Sequence, residues 1–488
     1  MVIFALNRAG KRLNNRLCCS DDRKAVKNVL KALKKSASVM ILQKLDSQWT
    51  FYLDSALAFS DTKRPQKIAL FGREKWIKDV KIVPDSIEEA LDISFIAPHE
   101  FLDVRARLVD VNPQWENAVM SCKFALQNQI HPKLVAVGGK GVGKSTMLKW
   151  ITNRLVQDHG GKVLWIELDP GQAEFTLPGC LSVTLVTSPI LGPNFTHVEG
   201  DNVICKLYLG SVNVSDVVER YAKCVAYIVS FLQSQKHLEE IPWVVNTMGF
   251  NRGLGISLLK KSVASIKPTT FVEIRSRFHK KNYECNLGEF CSQSLQGCNF
   301  LSFSAIPESA GAKDMGGNDL WGIPEAYKLR DIVVLSYLGQ SFAKPIQSVT
   351  PYAVSFDSVS LQLLQCTSKS PESPELVLNM ALVSMGTFKG PRPLSGILHN
   401  DVIIETKGFG IIRAVDQVKK LYYIVTNLNE DMLTEINCLT CGSIFLPKGV
   451  YLTQKIKESS NPYLETEPKL MTPLNSPWQR SASRPIQN

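Results

Sequence analysis

A chain of 488 residues, 44% hydrophobic and 21% charged, has the balance of a globular protein and more length than one ordinary core uses, so two to four domains are expected. The opening apolar run, Met1 to Leu6, is too short for a signal peptide and no later stretch is long enough to cross a membrane, which predicts a nuclear or cytoplasmic setting without membrane attachment. The net charge of +11 is unevenly spread: between Arg8 and Lys35 ten basic residues face only Asp21 and Asp22, so this arm carries +8 and the rest of the chain +3. A broadly basic nucleic-acid-coating body is thereby excluded, and any RNA groove must be local.

Residues 1–36 read as a basic arm, suited to an RNA-phosphate contact or to a nuclear or nucleolar address, or else to a solvated tail. Residues 37–115 read as a small β-rich domain. Ser38 to Leu53 and Lys67 to Phe71 have strand character, Trp49 and Phe51 alternate against polar neighbours, and Lys75 to Ile96 is ambiguous. From 116 to 342 strands alternate with helices: Leu134 to Val137, Thr146 to Val156 (helix), Val163 to Leu168, Val214 to Gln235 (helix), Trp243 to Asn246, Leu254 to Ile266 (helix), Thr270 to Ile274 and Leu329 to Phe342 (helix). Such alternation predicts an α/β domain with a parallel sheet and helices on both faces. Cys285 to Gly322, rich in Gly, Ser, Asn and Cys, reads as a long surface loop.

Past a Pro345–Pro351 linker, residues 343–455 read as a second β-rich domain with strands in Ala353 to Leu364, Leu376 to Leu382, Asp401 to Glu405, Leu421 to Thr426 and Ser443 to Leu446, broken at Gly408 and Gly410. Residues 456–488, with five prolines among polar residues, read as a flexible tail, either inert or able to dock a partner through Trp478 and Arg480. The twelve cysteines are scattered, and adjacent Cys18 and Cys19 are poor disulfide geometry, so reduced thiols are expected. Cys438 and Cys441 form a lone C-x-x-C, more consistent with a buried strand or turn than with zinc.

The chemistry concentrates in Leu134-Val-Ala-Val-Gly-Gly-Lys-Gly-Val-Gly-Lys-Ser145, a G-x-x-x-x-G-K-[ST] phosphate loop between a strand and a helix. Backbone N–H groups of Gly138, Gly139, Lys140, Gly141, Val142, Gly143, Lys144, Ser145 and Thr146 would cradle the phosphates of ATP at the positive end of the new helix. Lys144 would reach the β- and γ-phosphates and the Ser145 hydroxyl would hold Mg²⁺. Lys140 would add charge near the γ-phosphate or face solvent. The next strand ends in Asp169-Pro-Gly-Gln172, where Asp169 would organise Mg²⁺ or accept the proton of an attacking hydroxyl, with Glu167 alternating away from it. Leu191 to His197 brings a histidine over the same edge, and Asn246 to Phe250 ends the third strand there.

Taken together, Gly138–Ser145, Asp169–Gln172 with Glu174–Thr176, Pro178-Gly179, Leu191–His197, Asn246–Gly255 and Leu329–Leu338 resemble the polynucleotide 5′-hydroxyl kinase family, specifically its nucleolar branch in ribosomal RNA processing. Thr350-Pro-Tyr352, Gly408-Phe-Gly410 and Asn437-Cys438 extend the resemblance to residues 130–455. The resemblance implies a central P-loop kinase domain flanked by two β-rich domains, with ATP and Mg²⁺ on Lys144 and Ser145. It implies Asp169 as the group that activates the RNA 5′-hydroxyl, Thr247, Gly249 and Phe250 as a substrate clasp, and Arg330, followed by Asp331, as a lid contact. His197 joins them as a candidate catalytic residue. Phe250 stands where clasp members often carry tryptophan; its ring either stacks on a base, worth ~1–3 kcal/mol, or belongs to the core. Also implied are a nucleolar pre-rRNA substrate cut in its internal transcribed spacer and a HEPN-type endoribonuclease partner. An ATP-bound, non-catalytic scaffold of an RNA-processing complex is the rival reading. A small-nucleoside kinase or GTPase switch fits less well, since no N-K-x-D motif is present.

Overall fold

The computed structural model describes residues 112–158, 161–190, 194–198, 200, 202–305, 326–341, 349–364 and 378–446, together with the backbone of six strands before residue 112. Those strands, β1 (Val2–Asn7), β2 (Arg12–Leu13), β3 (Ala37–Lys44), β4 (Trp49–Leu53), β5 (Ile68–Phe71) and β6 (Ala106–Leu108), form a sheet ordered β2-β1-β3-β4-β5-β6. The sheet takes in Val2–Asn7 and Arg12–Leu13, which the sequence places in the basic arm. Arg16 to Lys35, Lys75 to Ile96 and the tail 456–488 lie outside the described residues.

The central sheet is built from β7 (Lys133–Val137), β8 (Val163–Leu168), β9 (Cys180–Val186), β10 (Val203–Tyr208), β11 (Trp243–Thr247), β12 (Thr270–Arg275) and β13 (Asn299–Ser304), in the order β10-β9-β8-β11-β7-β12-β13. β8, β11, β7, β12 and β13 run parallel, and β9 and β10 extend the sheet as an antiparallel hairpin. Helices α1 (Trp115–Gln127) and α2 (Lys144–Asp158) cover one face, packing on Leu134, Ala136, Val163, Trp165, Val244 and Val272. The opposite face, Val135, Val137, Leu164, Ile166, Leu168 and Val245, is covered by α3 (Val218–Ser234) and α5 (Leu254–Ile266). Because the inner parallel strands are buried on both faces, they read in the sequence as largely apolar runs.

A short helix α4 (Lys236–Glu239) follows α3. The stretch read as a long surface loop after Cys285 instead contains α6 (Leu287–Ser294), whose cap Asn286 accepts from Glu289 N–H, and strand β13. As an edge strand, β13 keeps only Phe303 buried, so the apolar signal that marks the inner strands is missing.

Helix α7 (Ala326–Ser341) leads to the C-terminal sheet of β14 (Tyr352–Ser355), β15 (Ser360–Leu363), β16 (Leu382–Gly386), β17 (Thr406–Asp416), β18 (Leu421–Thr426) and β19 (Cys438–Cys441), ordered β14-β18-β17-β16-β19-β15, with α8 (Glu430–Glu435) before β19. Gly408 and Gly410 do not break strands: both lie inside β17, where a Cβ would come within 2.5 Å of Leu428 and 2.9 Å of Ile424. They are glycines because neighbouring side chains cross the strand at close range. Among the described residues, 378–382, Asp401 to Glu405 and Ser443 to Leu446 contribute no strand of their own beyond Leu382, Leu376 lying outside them, and the C-x-x-C is strand β19 with Cys438 buried.

The two domains share a core. Leu177, Cys180 and Tyr208 of the central domain, Tyr337 and Leu338 of α7, and Phe409 and Leu446 of the C-terminal domain form one buried cluster. Leu207 bridges to Glu405, and Tyr337 donates to Asn427 Oδ1 at 3.0 Å. No described helix is long and apolar enough to cross a membrane.

Candidate nucleotide and phosphoryl-transfer site

The site forms where β7, β11 and β8 end side by side. Their parallel register sets Asn246 between Ala136 and Glu167, so groups at the ends of three separate strands reach one point. After β7 the chain turns through Gly138–Gly143 and enters α2 at Lys144. Gly141 (φ 73°) and Gly143 (φ 100°) occupy backbone conformations that favour glycine, which lets the loop curl in the manner that points N–H groups inward.

Lys144 is buried (6% exposed), and its amine donates to the carbonyls of Gly138 (2.9 Å) and Gly139 (3.1 Å). Burial pulls its pKa below the ordinary lysine value, while Asp169 and Glu167 support the charged form. Asp169 sits just past β8 and accepts from Gly171 N–H at 2.9 Å. Burial raises the Asp169 carboxyl above the usual aspartate range, against the pull of Lys144, the Gly171 N–H, Lys140 and Arg330. Lys144, Lys140 and Arg330 therefore converge electrostatically on Asp169. Arg330, half-buried on α7, is influenced more strongly by its neighbour Asp331 than by Asp169.

Glu167 belongs to the same cluster, contrary to the expectation that it alternates away. Residues two apart share a strand face, so Glu167 follows Trp165 toward the N-terminal end of α2. It is fully buried and accepts from Asn246 Nδ2 (2.9 Å), Asp169 N–H (2.9 Å) and Trp165 Nε1 (3.1 Å). Burial, then the Asp169 charge, pushes its carboxyl up to about 8. Burial and the neighbouring Asp169 charge thus favour a proton on Glu167 near neutral pH. The linkage has a definite sign. A group whose folded pKa is raised contributes stability below its unfolded value, near 4.5, and that contribution is lost as pH rises through about 8. Chemical denaturation from pH 5 to pH 8.5 should show this fall, and the Glu167→Gln chain should lack it whatever its absolute stability.

Asn246, which the sequence marks only as the start of the Asn246–Gly255 segment, also joins the cluster. It is buried (1% exposed), its Nδ2 also approaches Ser145 Oγ at 3.4 Å, and its Oδ1 has no partner among the described residues. An asparagine at the end of an otherwise apolar parallel strand was the available signal.

The clasp residues are placed differently from one another. Thr247 is buried with its hydroxyl donating to Ala136 carbonyl at 2.7 Å, so it ties β11 to β7. Phe250 is partly buried and lies over Gly255 at the start of α5, where any Cβ would meet the ring at 2.4 Å. Gly249 presses on the phosphate loop: a Cβ there would stand 2.7 Å from Lys140 N and 2.9 Å from Lys140 Cα. Gly249→Ala should therefore displace the loop and weaken ATP binding by about tenfold with little loss of global stability; calorimetric titration with ATP and a thermal melt check both halves. His197 is held in a neighbouring cluster. It hydrogen-bonds Glu174 Oε1 at 2.9 Å, packs on Phe175, and shares Glu174 with Lys149 at 2.7 Å. Burial works against the Glu174 charge, yet Lys149 and His197 keep its carboxyl below the ordinary range.

The oxygen set suits Mg²⁺: the partly exposed Ser145 hydroxyl, the unpartnered Asn246 Oδ1 and the Asp169 carboxylate are hard donors. Among the described residues no group of three metal-ligating side chains occurs, and a Mg²⁺ bound largely through phosphates and water needs only one or two protein ligands. The curled loop, buried lysine and helix N-terminus likewise suit a nucleoside triphosphate.

Residues 138–305 match the family model described as mRNA cleavage and polyadenylation factor CLP1 P-loop, and residues 347–447 match that of the NOL9-like C-terminal domain. The chain is 28% identical over 379 residues to the human protein named polynucleotide 5′-hydroxyl-kinase NOL9, covering 69% of this chain and 52% of that one. Identity to the Danio rerio protein of the same name is 26% over 472 residues, 90% of this chain and 62% of the other. The Arabidopsis thaliana protein of that name is 26% identical over 375 residues, 73% of this chain and 96% of the other. The chain thus spans about half to three-fifths of the length of the first two relatives. A solved structure of wild-type Clp1p in complex with Pcf11p (454–563) shares the fold, with TM-score 0.50, 13% identity and coverage of 68% of this chain and 79% of that one. Two stretches of this chain, 138–305 and 347–447, are thus similar to the Clp1 P-loop and to the NOL9-like C-terminal domain, and the two domains that contain them meet in one shared core.

Proposed function

We propose that this chain transfers the γ-phosphoryl group of ATP to the 5′-hydroxyl end of RNA. The observation that carries the reading is the buried Lys144 amine held at the Gly138 and Gly139 carbonyls of the phosphate loop, with Asp169 just past the neighbouring strand β8 and Asn246 Nδ2 3.4 Å from Ser145 Oγ. Phosphoryl transfer asks for positioning and charge neutralisation more than covalent work, and this cluster supplies both. Ser145 and Asp169, with Asn246 behind them, would hold Mg²⁺, which when bound neutralises phosphate charge. Lys144 would exchange its carbonyl partners Gly138 and Gly139 for phosphate oxygens. Asp169, its carboxyl raised by burial, would accept the proton of the RNA hydroxyl. Proton-bound Glu167 would keep the two carboxyls from presenting two negative charges to the incoming phosphate. Gly249 and Phe250 would border the acceptor end, and His197 would act from the Glu174 cluster.

The name of the relatives, polynucleotide 5′-hydroxyl-kinase NOL9, further supports a polynucleotide acceptor, and the family resemblance implies a nucleolar setting with a precursor ribosomal RNA cut in its internal transcribed spacer as substrate. A HEPN-type endoribonuclease that leaves 5′-hydroxyl ends is the proposed partner. The test is incubation of the purified chain with γ-labelled ATP, Mg²⁺ and a 5′-hydroxyl RNA oligonucleotide. Label on the RNA end supports the kinase; bound ATP without transfer, with and without the nuclease, would replace it with an ATP-locked scaffold.

A further inference from the structure

Between β12 and α6 the chain makes a turn, Arg275-Ser-Arg-Phe-His-Lys-Lys281, whose residues belong to no nucleotide-binding motif. We propose that this turn is a ledge for single-stranded RNA, on which Arg277 and Lys280 take backbone phosphates and Phe278 takes a base of the strand whose 5′ end lies at the phosphate loop. The proposal rests on the reading of the site as one that receives a polynucleotide.

Position comes first. The turn is packed directly on the phosphate loop: a Cβ on Gly139 would stand 2.1 Å from Lys281 carbonyl oxygen, and one on Gly141 would stand 3.9 Å from Lys281 Nζ. It is tied equally to the turn that follows β11. Asn251, next to Phe250, donates through Nδ2 to the carbonyls of Lys280 (3.0 Å) and Asn282 (2.6 Å). The ledge therefore borders both the phosphates and the proposed acceptor end.

The turn is also shaped before any ligand arrives. Asn282 closes it on both sides, accepting from Ser276 N–H at 2.7 Å and donating to Ser276 carbonyl at 2.8 Å, while Phe278 N–H donates to Ser276 Oγ at 3.2 Å. Little ordering cost then remains for binding.

Its chemistry is that of a nucleic-acid surface. Arg275, Arg277, Phe278, His279 and Lys280 are all exposed, Phe278 to 46%. Arg277 lies 4.8 Å and Lys281 5.8 Å from the centre of the Phe278 ring. The nearby carboxylates are engaged elsewhere, Glu273 with Arg275 and Glu284 with Arg252. Among the described residues no carboxylate comes within ion-pair distance of Arg277 or Lys280. A phosphodiester strand offers these cations their counter-charge and the ring its stacking partner together. Outside the basic arm the chain carries only +3, so this concentration of charge is local.

The test measures anisotropy of a fluorescent 5′-hydroxyl RNA of roughly ten nucleotides against the full chain over a salt series, beside ATP affinity without RNA. Arg277→Gln with Lys280→Gln should reduce the slope of log affinity against log salt by about 1.4, from two phosphates at ~0.7 each. Phe278→Ala should weaken RNA binding by about tenfold. ATP affinity should stay unchanged in both, and in the transfer assay the KM for RNA should rise with kcat held within about twofold. RNA affinity and salt slope equal to those of the parent would overturn the ledge, and would leave room for an acidic protein segment as occupant. An equal fall in ATP affinity would overturn it too, making the turn a prop of the phosphate loop. If the parent chain binds RNA through this turn but transfers no phosphate, the ledge stands and the kinase reading falls. If the parent transfers phosphate while the variants bind RNA normally, the reverse holds.

Discussion

Asp169→Asn is expected to lower kcat for phosphoryl transfer by about 10²- to 10⁴-fold, the range of a positioned general base, while ATP still binds and the fold persists. Asparagine keeps the shape and can still accept from Gly171 N–H, but it has no charge to oppose the cluster of Lys144, Lys140 and Arg330 and no site for the hydroxyl proton. In the parent, activity should fall as pH drops through the Asp169 pKa, because the base must be deprotonated, and burial puts that limb above the ordinary aspartate range. The variant should lose that acid limb along with its rate. Lys144→Ala should fall at least as far, and its loss should include ATP affinity, because this amine is the buried cation of the loop. Rapid-quench assays with labelled ATP, run beside ATP titration, separate the two effects. Substantial transfer by purified Asp169→Asn would remove the base assignment.

The second large effect lies far from the phosphates. Arg220, on α3, is 7% exposed and donates across the domain boundary to the carbonyls of Asn400 (2.6 Å) and Val402 (2.9 Å), and also to Tyr208 carbonyl (3.1 Å) and Gln362 Oε1 (3.3 Å). Gln362 in turn donates to the carbonyls of His399 and Val402 and accepts from Thr440. One guanidinium thus holds the 399–402 segment, β15 and β10 together. Arg220→Ala would leave several buried acceptors without donors and should cost about 3–5 kcal/mol. Because this node joins two domains that share a core, urea denaturation should change from one transition to two. The exposed pair Lys223–Asp401, at 2.6 Å in the same region, makes a contrast: Lys223→Ala should leave the transition nearly unmoved. A single unshifted transition in Arg220→Ala would show that the apolar cluster alone joins the domains.

Much of the central domain was legible residue by residue. Val163–Leu168 and Leu254–Ile266 have the bounds their patterns indicate, and β7, β11 and β12 differ by one residue each. A strand buried on both faces must be apolar throughout, and a helix between two faces must repeat its apolar positions, so both leave marks in the chain. The signal faded where burial is one-sided. β13 is an edge strand and read as loop, and β17 carries glycines that neighbouring strands require, which looked like breaks. The site divides in the same way. Gly138–Ser145 and Asp169 stand out in the sequence because phosphate chemistry restricts which residues fit at each position. Glu167 was set aside although its spacing of two from Asp169 already placed both on one face.

What the amino-acid sequence by itself determined was the local chemistry: a loop able to cradle phosphates, a carboxylate at a strand end, a basic stretch near Arg8, and the α/β alternation that must bury both faces of a parallel sheet. What only the tertiary structure decided was which groups meet. Asn246 reaches Glu167 across 79 positions, Arg330 enters the field of Asp169, His197 turns to Glu174, and Lys281 lies over the phosphate loop. Strand register and interdomain packing set those encounters, and no local spacing encodes them. Whether Glu167 keeps its proton and Lys144 its charge depends on burial and on neighbours, which exist only once the chain has folded.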